Sequence, residues 1–315
     1  MADRSVTPVG ASNAPTGGMA KRRKLLGSDG WWPALFVLPL FAGIAVFYLF
    51  PIVQTAYFSF TSWGVFGGAT FTGLDNYAKL LSDPEVARSL VNTIVYTAIV
   101  VLGVPIGIVF AVLISRPKLR FAALYRVLFL MSYIAMPVAI ALVWRMMFKG
   151  DYGVINWFLS LVGIQGPFWL STEWFALIAV SVVGLWIALG FNIIILAAGL
   201  RGIPPELYEA SALDGAGRWY QFTRITIPLL TPSIFFVLVI NIIGGFKLFD
   251  LLYILLEPSN PVMPKTQSLV FLFYNESFVV NDKGYGATIA IVILLLISLF
   301  TAIQFRLEKK WVHYV

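Results

Sequence analysis

Six apolar stretches of about 20 residues constrain this chain more than any other feature. They run over residues 33–54, 91–115, 127–148, 174–199, 229–256 and 286–305. At about 1.5 Å of rise per residue, a helix of roughly 20 residues crosses about 30 Å of hydrocarbon. The composition agrees, because 59% of the 315 residues are hydrophobic and 12% are charged, whereas soluble domains carry about 25% charged residues. A soluble globule is excluded. The expected fold is an all-α integral membrane domain of six transmembrane helices over residues 31–307, with terminal tails at 1–30 and 308–315.

Charge placement gives the direction. The net charge is +7, which in another setting would suggest a nucleic-acid partner; here it bears on the membrane. The two tails and the loops at 116–126 and 201–228 carry 15 of the 22 Lys and Arg residues, and the alternate loops carry 7. The positive-inside bias therefore predicts cytoplasmic N- and C-termini, and an even number of spans agrees. Gly, Ser, Pro and Ala, with the cluster Lys21-Arg22-Arg23-Lys24, fill residues 1–30. Such a composition cannot bury a core and predicts a mobile tail. The apolar run that follows exceeds a signal-peptide core and lacks a small-residue cleavage site after it, so it reads as an uncleaved anchor.

Several chemistries have no residues to carry them. The chain has no cysteine and one histidine, His313, which excludes thiolate and His-cluster metal sites. No Gly-Lys pair followed by Ser or Thr is present to hold a nucleotide phosphate. No charge lies in the central part of any span. Prolines 39, 51, 105, 137 and 232 fall inside or at the edge of spans, where each removes a backbone donor and serves either bundle geometry or gating. Arg145 reads as a snorkelling residue at a span end. Lys247 and Asp250, at i and i+3 toward the outer end of the fifth span, read either as a mutually compensating pair or as part of an outer gate. Tyr133, Asn241, Gly244, Gly245, Phe246 and Phe249 are polar, flexible or aromatic positions within the spans, and with Lys247 and Asp250 they are candidate residues for a path through the membrane.

The loop between the fourth and fifth spans has more structure than a connector needs. Pro204 and Pro205 suit a helix start, Glu206 and Glu209 sit where the positive end of the dipole favours acids, and Gly215 suits a C-terminal cap. Leu207, Ala210, Ser211 and Asp214 share a stripe at helical spacing. Beyond Gly217, Arg218, Trp219, Tyr220, Phe222 and Arg224 predict a second helix on the headgroup surface. The bland reading is an interfacial helix that only joins two spans.

Glu209-Ala210-Ser211, then Gly215, then Ile225, Ile227 and Pro228 after a nine-residue gap, closely resemble the cytoplasmic "EAA" loop of ABC importer permeases. Ser211 stands where Ala is usual and Ile227 where Leu is common. Gly73-Leu74-Asp75-Asn76-Tyr77, Asn92-Thr93, Gly153-Val154-Ile155-Asn156, Phe249-Asp250 and Gly284-Tyr285-Gly286 resemble the carbohydrate-importer branch, the maltose, lactose and glycerol-phosphate type. The usual Gly-Gly-Pro turn between spans five and six is replaced by Glu257-Pro258-Ser259-Asn260-Pro261.

The resemblance implies an importer-type permease in a bacterial inner membrane, itself without catalytic residues, metal or cofactor. ATP and magnesium would be held by two cytoplasmic ATPase subunits. A second permease subunit, membrane lipid and an extracytoplasmic solute-binding protein are the other implied partners, with no nucleic acid. It further implies that the helix from Pro205 to Gly215 is a coupling helix, with Glu209, Ala210, Asp214, Gly215 and Ala216 touching the ATPase. The alternative from another class is an ion-coupled secondary transporter, which needs an ionisable site near the midplane.

Overall fold

A computed structural model describes residues 32–63, 67–116 and 119–312; the tail at 1–30 and His313 lie outside them. The chain divides into two compact units, Met1–Pro51 and Ile52–Val315. The first contains α1 (Trp32–Ile44) and a π-helical turn at Ala45–Leu49, after which α2 (Phe50–Phe58) carries the chain into the second. There follow a two-stranded antiparallel hairpin, β1 (Thr61–Ser62) with β2 (Thr70–Phe71), and α3 (Asp75–Ser82). Then come α4 (Pro84–Val101), α5 (Gly103–Ile114), α6 (Ala122–Ile134), α7 (Pro137–Met147), α8 (Val154–Leu161) and α9 (Glu173–Arg201). The last elements are α10 (Pro205–Leu213), α11 (Arg218–Gln221), α12 (Ile227–Phe246), α13 (Asp250–Leu256), α14 (Met263–Thr266), α15 (Leu269–Tyr274) and α16 (Lys283–Trp311).

Among the described residues, five helical segments are long and apolar enough to cross a membrane: Leu35–Phe58, Pro84–Ile114, Glu173–Arg201, Arg218–Phe246 and Lys283–Trp311. The expected third span is different. It is broken into α6 and α7, bent by 96°, and counts as a sixth span only if the pair is taken as one. Pro137 is the cause: its ring disfavours helical geometry in the residue before it, and Met136 accordingly sits at ψ 128°.

Proline acts more gently elsewhere. Phe50 and Ile227, each immediately before a proline, donate their N–H five residues back, to the carbonyls of Ala45 and Phe222. This widened turn lets Pro51 and Pro228 follow without ending the helix, as π-bulges do. Pro39 and Pro232 lie inside unbroken helices. The fifth span corrects a second expectation, since it ends at Phe246 instead of reaching residue 256. Lys247 N–H bonds back to the Gly244 carbonyl at 3.1 Å and Leu248 N–H to that of Gly245 at 3.2 Å, turning the chain, and α13 then starts afresh. Lys247 and Asp250 therefore lie on either side of a break, and they form no ion pair with each other. Arg145, expected to snorkel at a span end, pairs with Glu257 at the end of α13.

Lipid is as apolar as a leucine side chain, so helices in it associate by close packing and polar contacts between them. Small residues supply the first. An added methyl at Gly184 would collide with Tyr96, at Gly199 with Ser233, at Gly245 with Thr97, and at Gly190 with the Phe129 carbonyl and Ser132 Oγ. The second comes from the segments that resemble the carbohydrate-importer branch. Asn76 donates to the Ser59 and Thr61 carbonyls at 3.0 and 2.9 Å, and Tyr77 shares a hydrogen bond of 2.8 Å with Ser59. Asn92 donates to the Lys265 and Gln267 carbonyls, and Thr93 Oγ1 accepts from Leu269 N–H at 3.1 Å. Gly284 lies against the Thr61 carbonyl and Gly286 against Ser277. Between them Tyr285 donates to Asp83 at 2.6 Å, under a Lys79 side chain that also pairs with Asp282. Glu276, half-buried nearby, has its pKa raised first by burial, with Lys79 opposing. These motif residues are joints between elements.

Gly190→Ala drives a methyl into the backbone of α6. It is expected to destabilise the protein by about 1–3 kcal/mol, the usual cost of overpacking. Thermal unfolding of the detergent-solubilised protein checks this, and an unchanged melting temperature would refute the tight α6–α9 seam.

Candidate functional site

The loop joining α9 to α12 is ordered throughout. Pro204 is extended at ψ 128° and Pro205 occupies the first helical position, where a missing N–H costs nothing. The helix ends as expected at Gly215, whose φ is +78°. Ala216 N–H bonds to the Ser211 carbonyl at 2.9 Å and Gly215 N–H to the Ala212 carbonyl at 3.1 Å, the paired bonds of a Schellman cap.

Gln221 holds α10 in place. Its Nε2 donates to the Tyr208 carbonyl at 3.0 Å and to Ser211 Oγ at 2.9 Å, while Ser211 Oγ donates to the same carbonyl. Tyr208 OH shares a hydrogen bond of 3.0 Å with Thr226 Oγ1. Ser211 is thus the contact point of the clamp, which accounts for a hydroxyl where the resemblance expects Ala. The segment beginning at Arg218 is the opening of one helical run, Arg218–Phe246, so the expected separate headgroup helix is corrected. The π-helical turn at Phe222–Thr226 lets α11 run on into α12.

The clamp splits the expected stripe. Ser211 is half-buried against Gln221, whereas Leu207, Ala210 and Asp214 are exposed together with Glu209 and Gly215, and Ala216 is half-buried. Leu213, at the helix end, is 90% exposed. The result is a short, capped helix held from behind, with a mixed apolar and acidic face outward.

The pathway candidates do not form one surface. Tyr133 is exposed and packs its ring 5.0 Å from Phe191 on α9. Asn241 is buried and donates to Asn192 Oδ1 at 3.0 Å. Gly245 and Phe246 face neighbouring helices, Phe246 with its ring 5.0 Å from Phe300, while Gly244, Lys247 and Asp250 are exposed. Phe249 joins Tyr253, Phe271 and Tyr274 in an aromatic cluster at the break after α12. Asn192 escaped the sequence reading, although it is the one amide in an otherwise apolar run from Leu185 to Leu200. Its Nδ2 is buried without a hydrogen-bond partner among the described residues. It lies against Gly103 and Gly107, which let α5 approach α9.

Five crossing helices, a bent pair and a long ordered loop between two spans define a polytopic membrane subunit. The chain belongs to the family described as binding-protein-dependent transport system inner membrane component, which matches residues 103–313. It is 34% identical to the probable ABC transporter permease protein YesP of Bacillus subtilis (strain 168), over 93% of this chain and 96% of that one. It is 32% identical to the lactose transport system permease protein LacF of Rhizobium radiobacter, over 90% and 94%. The fold is shared with a chain of a bacterial alginate ABC transporter crystallised with an alginate pentasaccharide-bound periplasmic protein. That match has a TM-score of 0.78 at 20% identity and covers 89% of this chain and 94% of the other. Membership sets aside the ion-coupled alternative: the protein is a multi-pass transport component.

The cap makes a test of its own. Gly215→Ala places a side chain in the left-handed region and is expected to cost about 1–2 kcal/mol locally. Gly217→Ala, at φ −73° with open space around it, is expected to cost much less. Faster amide hydrogen exchange at Ala216 in the first variant and not in the second is the expected outcome.

Proposed function

We propose that this chain is one of two permease subunits of an ATP-driven importer for a carbohydrate or related polyol. The observation that carries the reading is the clamp of Gln221 and Thr226 on α10, which ties an exposed helix to a membrane-crossing one. Displacement of α10 is then passed to Arg218–Phe246 as a rigid-body movement. Relatives named for lactose, arabinooligosaccharide and trehalose/maltose transport support a carbohydrate substrate.

In this scheme Glu209, Ala210, Asp214, Gly215 and Ala216 form the docking face for a cytoplasmic ATPase. Two such subunits hold ATP and magnesium, and a solute-binding protein delivers substrate from the other side of a bacterial inner membrane. Both termini lie in the cytoplasm in this scheme, the side that the Lys and Arg distribution favours. ATP binds the closed ATPase pair better than the open one, and that difference in affinity shifts the permease between its two orientations. Tyr133, Asn241, Gly244, Gly245, Phe246, Lys247, Phe249 and Asp250 remain the proposed pathway set. Asn192, the hydrogen-bond partner of Asn241, joins that set as a proposal.

Two variants separate docking from transmission. Glu209→Lys reverses a charge on the docking face and is expected to lower both ATP hydrolysis and uptake by about tenfold, equivalent to about 1.4 kcal/mol. Gln221→Leu releases the clamp and leaves the face intact, so hydrolysis is expected to persist while uptake falls. Uptake that survives ATP depletion but collapses with an ionophore would overturn the reading.

A further inference from the structure

The hairpin between α7 and α9 is built in a way that the transport reading does not use. It is well secured from within. Asn156 Nδ2 donates to the Gly150 and Pro167 carbonyls at 2.8 and 3.1 Å, and its Oδ1 accepts from Trp169 Nε1 at 2.7 Å. Gly166 lies so close to the Asn156 amide that no side chain fits there. Ile155 and Trp169 pack on the core shared by α4, α7, α9 and α13. One face of α8 therefore points inward and is satisfied.

The other face is apolar and exposed. Val154, Trp157, Phe158 and Leu161 stand at i, i+3, i+4 and i+7, and the last three are 56, 60 and 63% exposed. Val162 and Ile164 continue the exposed apolar surface past the helix end. The segment from Tyr152 to Thr172 contains no charged residue, the nearest being Asp151 and Glu173. The loop on the other side of α9 carries Glu206, Glu209 and Asp214 within a comparable length. A loop standing in water has no reason to shed every charge while presenting Trp, Phe and Leu outward.

The occupant follows from position and composition. Eight residues of helix span about 12 Å, too short to cross a bilayer, so α8 lies along its surface. It packs on α7, whose Leu142, Val143 and Met146 are exposed and apolar, so its face continues the membrane-facing flank. Tryptophan and other large apolar side chains on one helix face are what the boundary between headgroups and acyl chains accepts. We propose that the hairpin at residues 148–172 is a membrane-surface anchor. In it α8 is embedded in the leaflet opposite the α10 loop, with Val154, Trp157, Phe158 and Leu161 against lipid. It fixes the depth at which α7 ends and α9 begins.

The chain has no cysteine, so single-cysteine variants can be made directly. Phe158→Cys, Leu161→Cys and, as an aqueous reference, Asp151→Cys each receive an environment-sensitive fluorophore. The full chain, with its co-purifying subunits, is reconstituted in phosphatidylethanolamine and phosphatidylglycerol vesicles. Size-exclusion profiles matching the unsubstituted protein qualify each variant. Positions 158 and 161 are expected to lose about half their emission to a phospholipid spin-labelled near the top of its acyl chain, as for residues roughly 5–10 Å below the headgroups. They are expected to resist iodide, which quenches position 151. Iodide quenching at both positions places the face in water and overturns the proposal. Insensitivity to both quenchers places another protein over it and overturns the proposal equally.

Discussion

Hydrocarbon gives helices no hydrophobic reason to associate and gives polar groups no water, and the architecture answers both conditions with the same few residues. Glycines at 184, 190, 199 and 245 bring helix surfaces close enough for dispersion to act. Buried or half-buried amides and hydroxyls join elements by hydrogen bonds: Asn76 donates to carbonyls at the start of the β-hairpin, Asn92 to the segment before α15, Thr93 accepts from the first residue of α15, and Asn156 donates within its own hairpin. Within helices, Thr93, Thr97 and Ser181 return their hydroxyls to carbonyls four residues back. Each element is located by a small number of specific contacts on a largely featureless apolar background.

Proline sets the second level of organisation, and its effect depends on what precedes it. Where the residue before it reaches five residues back, as at Phe50 and Ile227, the helix passes through. Where that residue is forced into extended geometry, as at Met136, the helix turns by 96°. The α10 loop combines the two conditions. Pro204 and Pro205 start its helix, Gly215 closes it, and the widened turn before Pro228 joins α11 to α12 in one run, so that Gln221 and Thr226 hold α10 from behind.

Much of this was legible in the chain. Apolar run length placed the spans, because the bilayer sets a length that sequence must match. The ends of the loop helix were legible for a local reason as well, since proline at its start and glycine at φ +78° at its close are backbone requirements. The limits of the fifth span were not. Gly244 and Gly245 are compatible with a continuing helix, and the break after Phe246 is held by Ser268 Oγ donating to the Leu248 carbonyl at 2.5 Å, from 20 residues away. Asn192 escaped notice for a similar reason, since its significance lies in Asn241 across a helix interface.

The apolar run lengths, the charge asymmetry and the proline and glycine placement of the sequence by themselves determined that this is a multi-spanning helical membrane protein, with its most structured loop between the fourth and fifth spans. Those properties depend on solvent transfer and local backbone preference, which act within a few residues. Only the tertiary structure decided that Arg218 opens a membrane-crossing helix, that Gln221 binds α10 to it through Ser211, and that α8 turns an apolar face outward. Each of these depends on which surfaces meet once the helices pack, and nothing in the local sequence encodes the partner across the gap.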